Sequence, residues 1–164
     1  FGGGSVADSG IGLYYNRFSG EQWNMSHPQK DLKGAYMSLN FAKNFNLFGE
    51  YNRVSFKDDT KKADVFYGKL QYGKARFEKS QSWDLWVDYL NSDRSGIQEF
   101  LVSGNWRTEN LLGADYGVTS WGVGANYTFA KNSQLQLFKS LNSKLKDRSG
   151  NLSELTRVQL VFVF

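Results

Sequence analysis

A period of two runs through this chain from end to end. From Thr119 to Phe129, one set of alternate residues reads Thr119, Trp121, Val123, Ala125, Tyr127, Phe129. The other reads Ser120, Gly122, Gly124, Asn126, Thr128. Successive side chains of a strand point to opposite faces, so this stretch predicts a strand with one apolar face and one small, polar face. The same rhythm recurs at 11–15, 35–41, 45–51, 66–72, 83–90, 134–141 and 154–164. Eight strands and an all-β, antiparallel, up-and-down chain are the expectation, with 1–164 as a single region.

Composition agrees. Aromatic residues make up 16 %, glycines number 17 and there is 1 proline, a balance that suits strands because proline cannot donate to a ladder. With no cysteine, no disulfide framework or cysteine metal site exists, which is compatible with passage through an oxidising periplasm. The net charge of +4 arises from 20 basic and 16 acidic residues. The two signs are interspersed without a basic stripe, which argues against nucleic acid as a partner. Phe1-Gly2-Gly3-Gly4-Ser5 has neither the basic start nor the apolar core of a signal peptide, so the chain reads as a mature start or as a piece of something longer.

Turn lengths orient the strands. Phe41-Ala42-Lys43-Asn44 and Phe129-Ala130-Lys131-Asn132 are near-repeats, each a tight turn on the same side of the sheet. Long polar connections are expected on the other side, over 19–31, 57–62, 91–118 and 142–153. Residues 73–82 fall on the tight-turn side and are longer than their neighbours. The stretch 97–106 has strand character, but a further full crossing there would reverse the direction of Thr119–Phe129. The whole of 91–118 is therefore read as one excursion.

Alternation alone suits a soluble sandwich as well as a transmembrane barrel. The mean hydropathy of −0.53 and the shortness of the apolar runs exclude a spanning helix. A barrel strand needs only alternate residues apolar. Three features favour the barrel. The polar face carries Glu50, Lys69, Asp84, Asp88 and Arg157; aromatic rings gather at strand ends, as at Trp83/Tyr89 and Trp121/Phe129; and the last strand alternates Val158, Leu160, Phe162, Phe164 without a polar tail.

That last strand resembles the C-terminal signal of bacterial outer-membrane proteins, which implies the outer membrane as location, its lipids as surroundings and the barrel assembly machinery as a partner. Val158, Leu160, Phe162 and Phe164 are the residues that carry it. More widely, Ser82–Tyr89, a long loop, Ser120–Asn132 and the terminal strand are similar to the end of the barrel that follows surface-layer-homology domains in porins of diderm Firmicutes. The resemblance implies a passive, trimeric channel of about sixteen strands. Eight strands would be its C-terminal half, and no surface-layer-homology domain is present. A complete small barrel remains the alternative.

Enzyme chemistry finds no footing. His27, the lone histidine, sits beside Pro28 in a polar loop. Asp84 and Asp88 are about 13 Å apart at strand rise, too far to share a proton. Gly2-Gly3-Gly4-Ser5 lacks the lysine and helix of a phosphate loop. No cofactor or metal is expected. What remains is an inward set: Glu50, Lys69, Asp84, Asp88, Gln134, Gln136, Arg157 and Gln159. In a wide barrel these would line a water-filled pore for ions and small hydrophilic solutes. In a closed eight-stranded one they would form a plug, leaving a structural, anchoring or surface-binding role. Arg94, Glu99, Arg107, Glu109 and Asp115, in the long excursion, would narrow a pore if that loop folds inward; a plain surface loop is the other reading.

Overall fold

A computed structural model describes residues 9–19, 28–57, 61–96 and 116–164. They form one antiparallel sheet in which every strand lies beside its neighbours in sequence. The strands are β1 (Gly10–Arg17), β2 (Gln29–Ala42), β3 (Phe45–Phe56), β4 (Lys62–Gly73), β5 (Ser82–Ser92), β6 (Val118–Ala130), β7 (Ser133–Leu145) and β8 (Thr156–Phe162). The eight-stranded, up-and-down order is the one the alternation implies. The sheet is not closed: β1 pairs only with β2, and β8 only with β7.

The two tight turns are built alike. Asn44 and Asn132 have φ of 70° and 61°, left-handed backbone that asparagine tolerates better than most residues. A register shift sits beside each turn, between Asn40 and Ala42 and between Thr128 and Ala130. A left-handed residue after a turn, with a bulge, is a common three-residue hairpin.

The longer connection 74–81 is also compact. Arg76 and Lys79 bridge, and the Ser82 hydroxyl accepts from the Arg76 N–H and donates to the Arg76 and Lys79 carbonyls. Backbone bonds knit this end together: Gly73 N–H to Asn44 O at 2.8 Å, Asn132 N–H to Phe77 O at 2.6 Å and Val163 N–H to Asn132 O at 2.9 Å.

At the other end lie the long connections. β5 and β6 pair directly from Ser82↔Thr128 to Ser92↔Val118, so no strand stands between them in the sheet. Residues 97–106 themselves lie outside the described residues.

The faces separate as expected. Trp83, Leu85, Val87, Trp121, Val123, Phe129, Leu137 and Leu160 are exposed on one side. Thr128, Ser120, Ser140 and Asp84 are buried on the other, the crowded face. Apolar burial is confined to that crowded face at the long-connection end, where Val65, Leu90, Val118 and Leu152 form one cluster and Val54, Phe56 and Ala63 another.

Candidate functional site

The crowded polar face gathers the inward charges of the strands with varied hydrogen-bonding groups. Register puts Glu50 opposite Tyr36 and Tyr67, Lys69 opposite Phe48 and Asp88, and Asp84 opposite Asn126. Gln136 stands between Asn126 and Gln159, and Gln134 between Thr128 and Val161; Arg157 is opposite Phe138. All eight inward residues expected from the sequence therefore share this face. Asp84, Asp88 and Gln134 are buried in it, whereas Gln159, on the edge strand, is exposed.

Hydrogen bonds on this face run sideways along the sheet. The Tyr14 hydroxyl reaches across β2 to the Glu50 carboxylate and the Asn52 side chain. Tyr67 donates to Asp88 at 3.0 Å, Asn126 to Asp84 at 3.0 Å, Gln134 to Thr128 at 3.2 Å and Gln136 to Gln134 at 2.7 Å. Asp84 also accepts the Ala75 N–H of the adjoining turn at 2.9 Å. Every substantial strand-to-strand contact is between sequence neighbours. Asp88 and Asp84 thus bond to side chains of adjacent strands, and Glu50 to a tyrosine two strands away.

Rings lie along the same wall because glycines make room for them. A Cβ on Gly12 would land on the Tyr36 ring, one on Gly34 on the Tyr14 ring, and one on Gly124 on the Trp86 ring. Each ring comes from the residue directly opposite. Tyr36 stacks towards Phe48, with centroids 6.4 Å apart, and Phe48 towards Tyr67 at 6.1 Å. The glycines, which from sequence alone look like gaps, are seats for rings of the next strand.

The connection between β7 and β8 is the unexpected part. Expected as a free loop over 142–153, it begins only after Leu145 and folds back on the polar face. The Glu154 carboxylate accepts from the Ser140 hydroxyl at 2.6 Å and from the Ser143 N–H and hydroxyl at 2.8 Å each. Leu152 enters the apolar cluster of Val65, Leu90 and Val118, and its N–H bonds to Ser143 O at 2.9 Å. Lys146 bonds to Asn91 at 2.7 Å and pairs with Asp93. Burial alone would raise the Glu154 carboxyl, but the serine donors and the nearby Lys139 charge outweigh it and hold the group below the usual carboxylate range.

Of the expected narrowing loop, Arg94 is described and exposed at the head of β5. Glu99, Arg107, Glu109 and Asp115 lie outside the described residues. Among the described residues, the connection 146–155, expected as part of a plain loop, folds onto the polar face. Its signals were Leu152 and Leu155, apolar residues in an otherwise polar stretch. The period of two puts Tyr14, Tyr67 and Trp86 on the polar face, but it does not say what each ring lies against.

No protein family matches this chain, and no curated protein does. No group of three or more histidine, cysteine or acidic side chains suited to a metal ion occurs among the described residues.

Proposed function

We propose that this chain is a segment of an outer-membrane β-barrel porin, and that its crowded polar face lines a water-filled path for ions and small hydrophilic solutes. The observation that carries the reading is the pairing of two opposite faces on one single-layer sheet. One face presents an exposed apolar surface on all eight strands, the other a polar wall whose carboxylates accept hydrogen bonds from side chains of other strands.

An apolar surface of that extent needs cover. Its internal order favours a bilayer over another protein. Near the tight turns, rings form a row, with Phe41–Phe45 centroids 5.8 Å apart, Phe45–Tyr72 4.7 Å and Tyr72–Trp83 5.6 Å. A second level holds Tyr51, Phe66, Tyr89 and Trp121, the last two 4.7 Å apart. Between the rows the outward residues include Leu47, Leu70, Leu85, Val87 and Val123. The rows are about six residues apart, which is about 20 Å of strand, and about 15 Å of height at a tilt of ~40°. The rings extend that height at each end, towards the ~25 Å apolar band of a transmembrane barrel. The alternation Val158, Leu160, Phe162, Phe164, with its resemblance to the outer-membrane signal, points the same way.

Backbone chemistry then requires that β1 and β8 find partners, because an open edge in hydrocarbon leaves its N–H and C=O groups unsatisfied. A porin of about sixteen strands supplies them from further strands. The side chains also favour a wide interior: Tyr14, Tyr36 and Trp86 lie along the wall, over glycines, instead of filling a centre. The smaller, self-contained barrel draws its support from Leu152 and the apolar clusters at one end, which would suit a plugged mouth.

The test is planar-bilayer recording on the full native protein. Stable conductance steps that grow with salt and pass both anions and cations are the expected result. A protein that inserts into lipid but gives no steps would overturn the channel reading.

A further inference from the structure

The outward face is not the same at its two ends. Every charged outward residue of the strands but one lies towards the long connections: Arg17, Lys33, Arg53, Lys62 and Lys144, against Asp31 and Asp64. The exception, Lys139, falls mid-strand in β7, opposite Thr156 of β8 and opposite Val123 of β6, a residue of the band between the ring levels. At the tight-turn end the outward strand positions are Phe41, Phe45, Tyr72, Trp83, Phe129 and Phe162, with no charge among them. The lysines near that end stand in the turns, past the paired strands.

The rim is built onto the upper ring level. The Lys33 ammonium lies over the Tyr15 ring, 5.7 Å from its centroid, and the Arg53 guanidinium over the Tyr51 ring at 6.0 Å. Arg53 pairs with Asp64 at 2.7 Å, and Asp64 also accepts the Tyr51 hydroxyl at 2.8 Å. Basic groups directly above a tyrosine level, on a face turned to lipid, meet head groups at the depth of their phosphates.

We propose that this rim binds phosphate-bearing lipid head groups in the leaflet at the long-connection end. The inference rests on the membrane reading above and adds a partner of stated chemistry and a side. Charge complementarity carries it, since basic residues outnumber acidic ones only on this end of the lipid face. The tight-turn end meets its leaflet through rings instead.

The experiment uses the full native protein reconstituted in phosphatidylcholine vesicles with trace spin-labelled phosphatidic acid or spin-labelled phosphatidylcholine. Electron paramagnetic resonance then reads the fraction of each label held at the protein. Phosphatidic acid is expected to be selected at least fivefold. The selectivity should shrink as salt rises and fall towards unity in Lys33→Gln/Lys62→Gln/Lys144→Gln, since each basic residue near an anionic surface is worth roughly fivefold in affinity. Lys43→Gln/Lys131→Gln, in the tight turns, should keep most of it. Equal selection of both labels by the inserted wild-type protein, or equal loss in both variants, would overturn the rim. A wild-type protein that fails to float with the vesicles would overturn the membrane reading as well.

Discussion

Gly124 and Gly49 are both strand glycines, yet their surroundings differ completely. Gly124 faces the polar wall beneath the Trp86 ring, whereas nothing lies within 4 Å of where a Gly49 Cβ would sit on the outward face. Gly124→Val must push the indole off the wall and is expected to cost about 1–3 kcal/mol, the usual range for overpacking. Gly49→Val meets open space and gains strand preference, so it should be neutral or stabilising by up to ~1 kcal/mol. Urea unfolding in lipid vesicles checks both, and equal destabilisation by the two would refute the seat assigned to Trp86. Residue identity alone gives no access to this difference. The alternation places Gly122 and Gly124 on the polar side correctly, but a glycine there reads as missing volume until the register sets Trp86 opposite Gly124 and brings the Phe138 ring within 2.8 Å of a Gly122 Cβ.

At the scale of elements, the strands were legible and their lengths were not. β2, β3 and β4 continue past the apolar alternation to Asp31, Arg53, Ser55 and Lys62, because the ladder persists where the outward side chains turn from apolar to charged. Apolar periodicity marks only the stretch between the two ring levels, so it underestimates any strand that runs beyond them. β7 shows the same effect most fully. It extends to Leu145, and Asn142 takes a φ of 54° where the register against β6 shifts. That shift brings Ser143 to the polar face beside Ser120, with their hydroxyls 2.8 Å apart, and opens its N–H to Glu154.

The 146–155 connection should therefore respond to acid. A carboxyl held below its unfolded value contributes stability that is present above the unfolded pKa and is lost as pH falls through the lowered folded one. The groups facing Glu154 are the Ser140 and Ser143 donors and the Lys139 charge. Amide exchange at Ser143, corrected for its intrinsic pH dependence, should be slow at neutral pH and accelerate once the medium drops below the usual carboxylate range. Glu154→Gln should lose on the order of 1 kcal/mol of local stability at neutral pH, roughly a fivefold faster exchange, and should flatten the pH response. Unchanged protection at Ser143 in that variant would show that Leu152 and the Lys146 contacts hold the loop without the carboxylate.

For the whole molecule the deciding feature is the pair of open edges. Ile11 and Leu13 on β1 are 78 % and 82 % exposed, and Val158 on β8 is 67 % exposed, well above the outward residues of inner strands such as Leu85 at 50 %. Part of that excess reflects a missing neighbour on one side. An eight-stranded barrel would supply the neighbour by pairing β1 with β8, whose directions are opposite as an antiparallel closure requires. A wider barrel would supply it from strands elsewhere in the protein. Cysteine cross-linking separates the two, since these 164 residues contain no cysteine to interfere. Cysteines at Ile11 or Leu13 combined with Val158 or Leu160 face outward on both edges, and a closed small barrel would bring at least one combination within the ~4.4–6.8 Å Cα separation that a disulfide spans. Leu13→Cys/Ala35→Cys, directly paired between β1 and β2, serves as the positive control. In the assembled native protein the control should oxidise, while none of the β1–β8 combinations should. An efficient β1–β8 disulfide would mean that these eight strands close on themselves, leaving an interior only wide enough for side chains and no room for the channel proposed here.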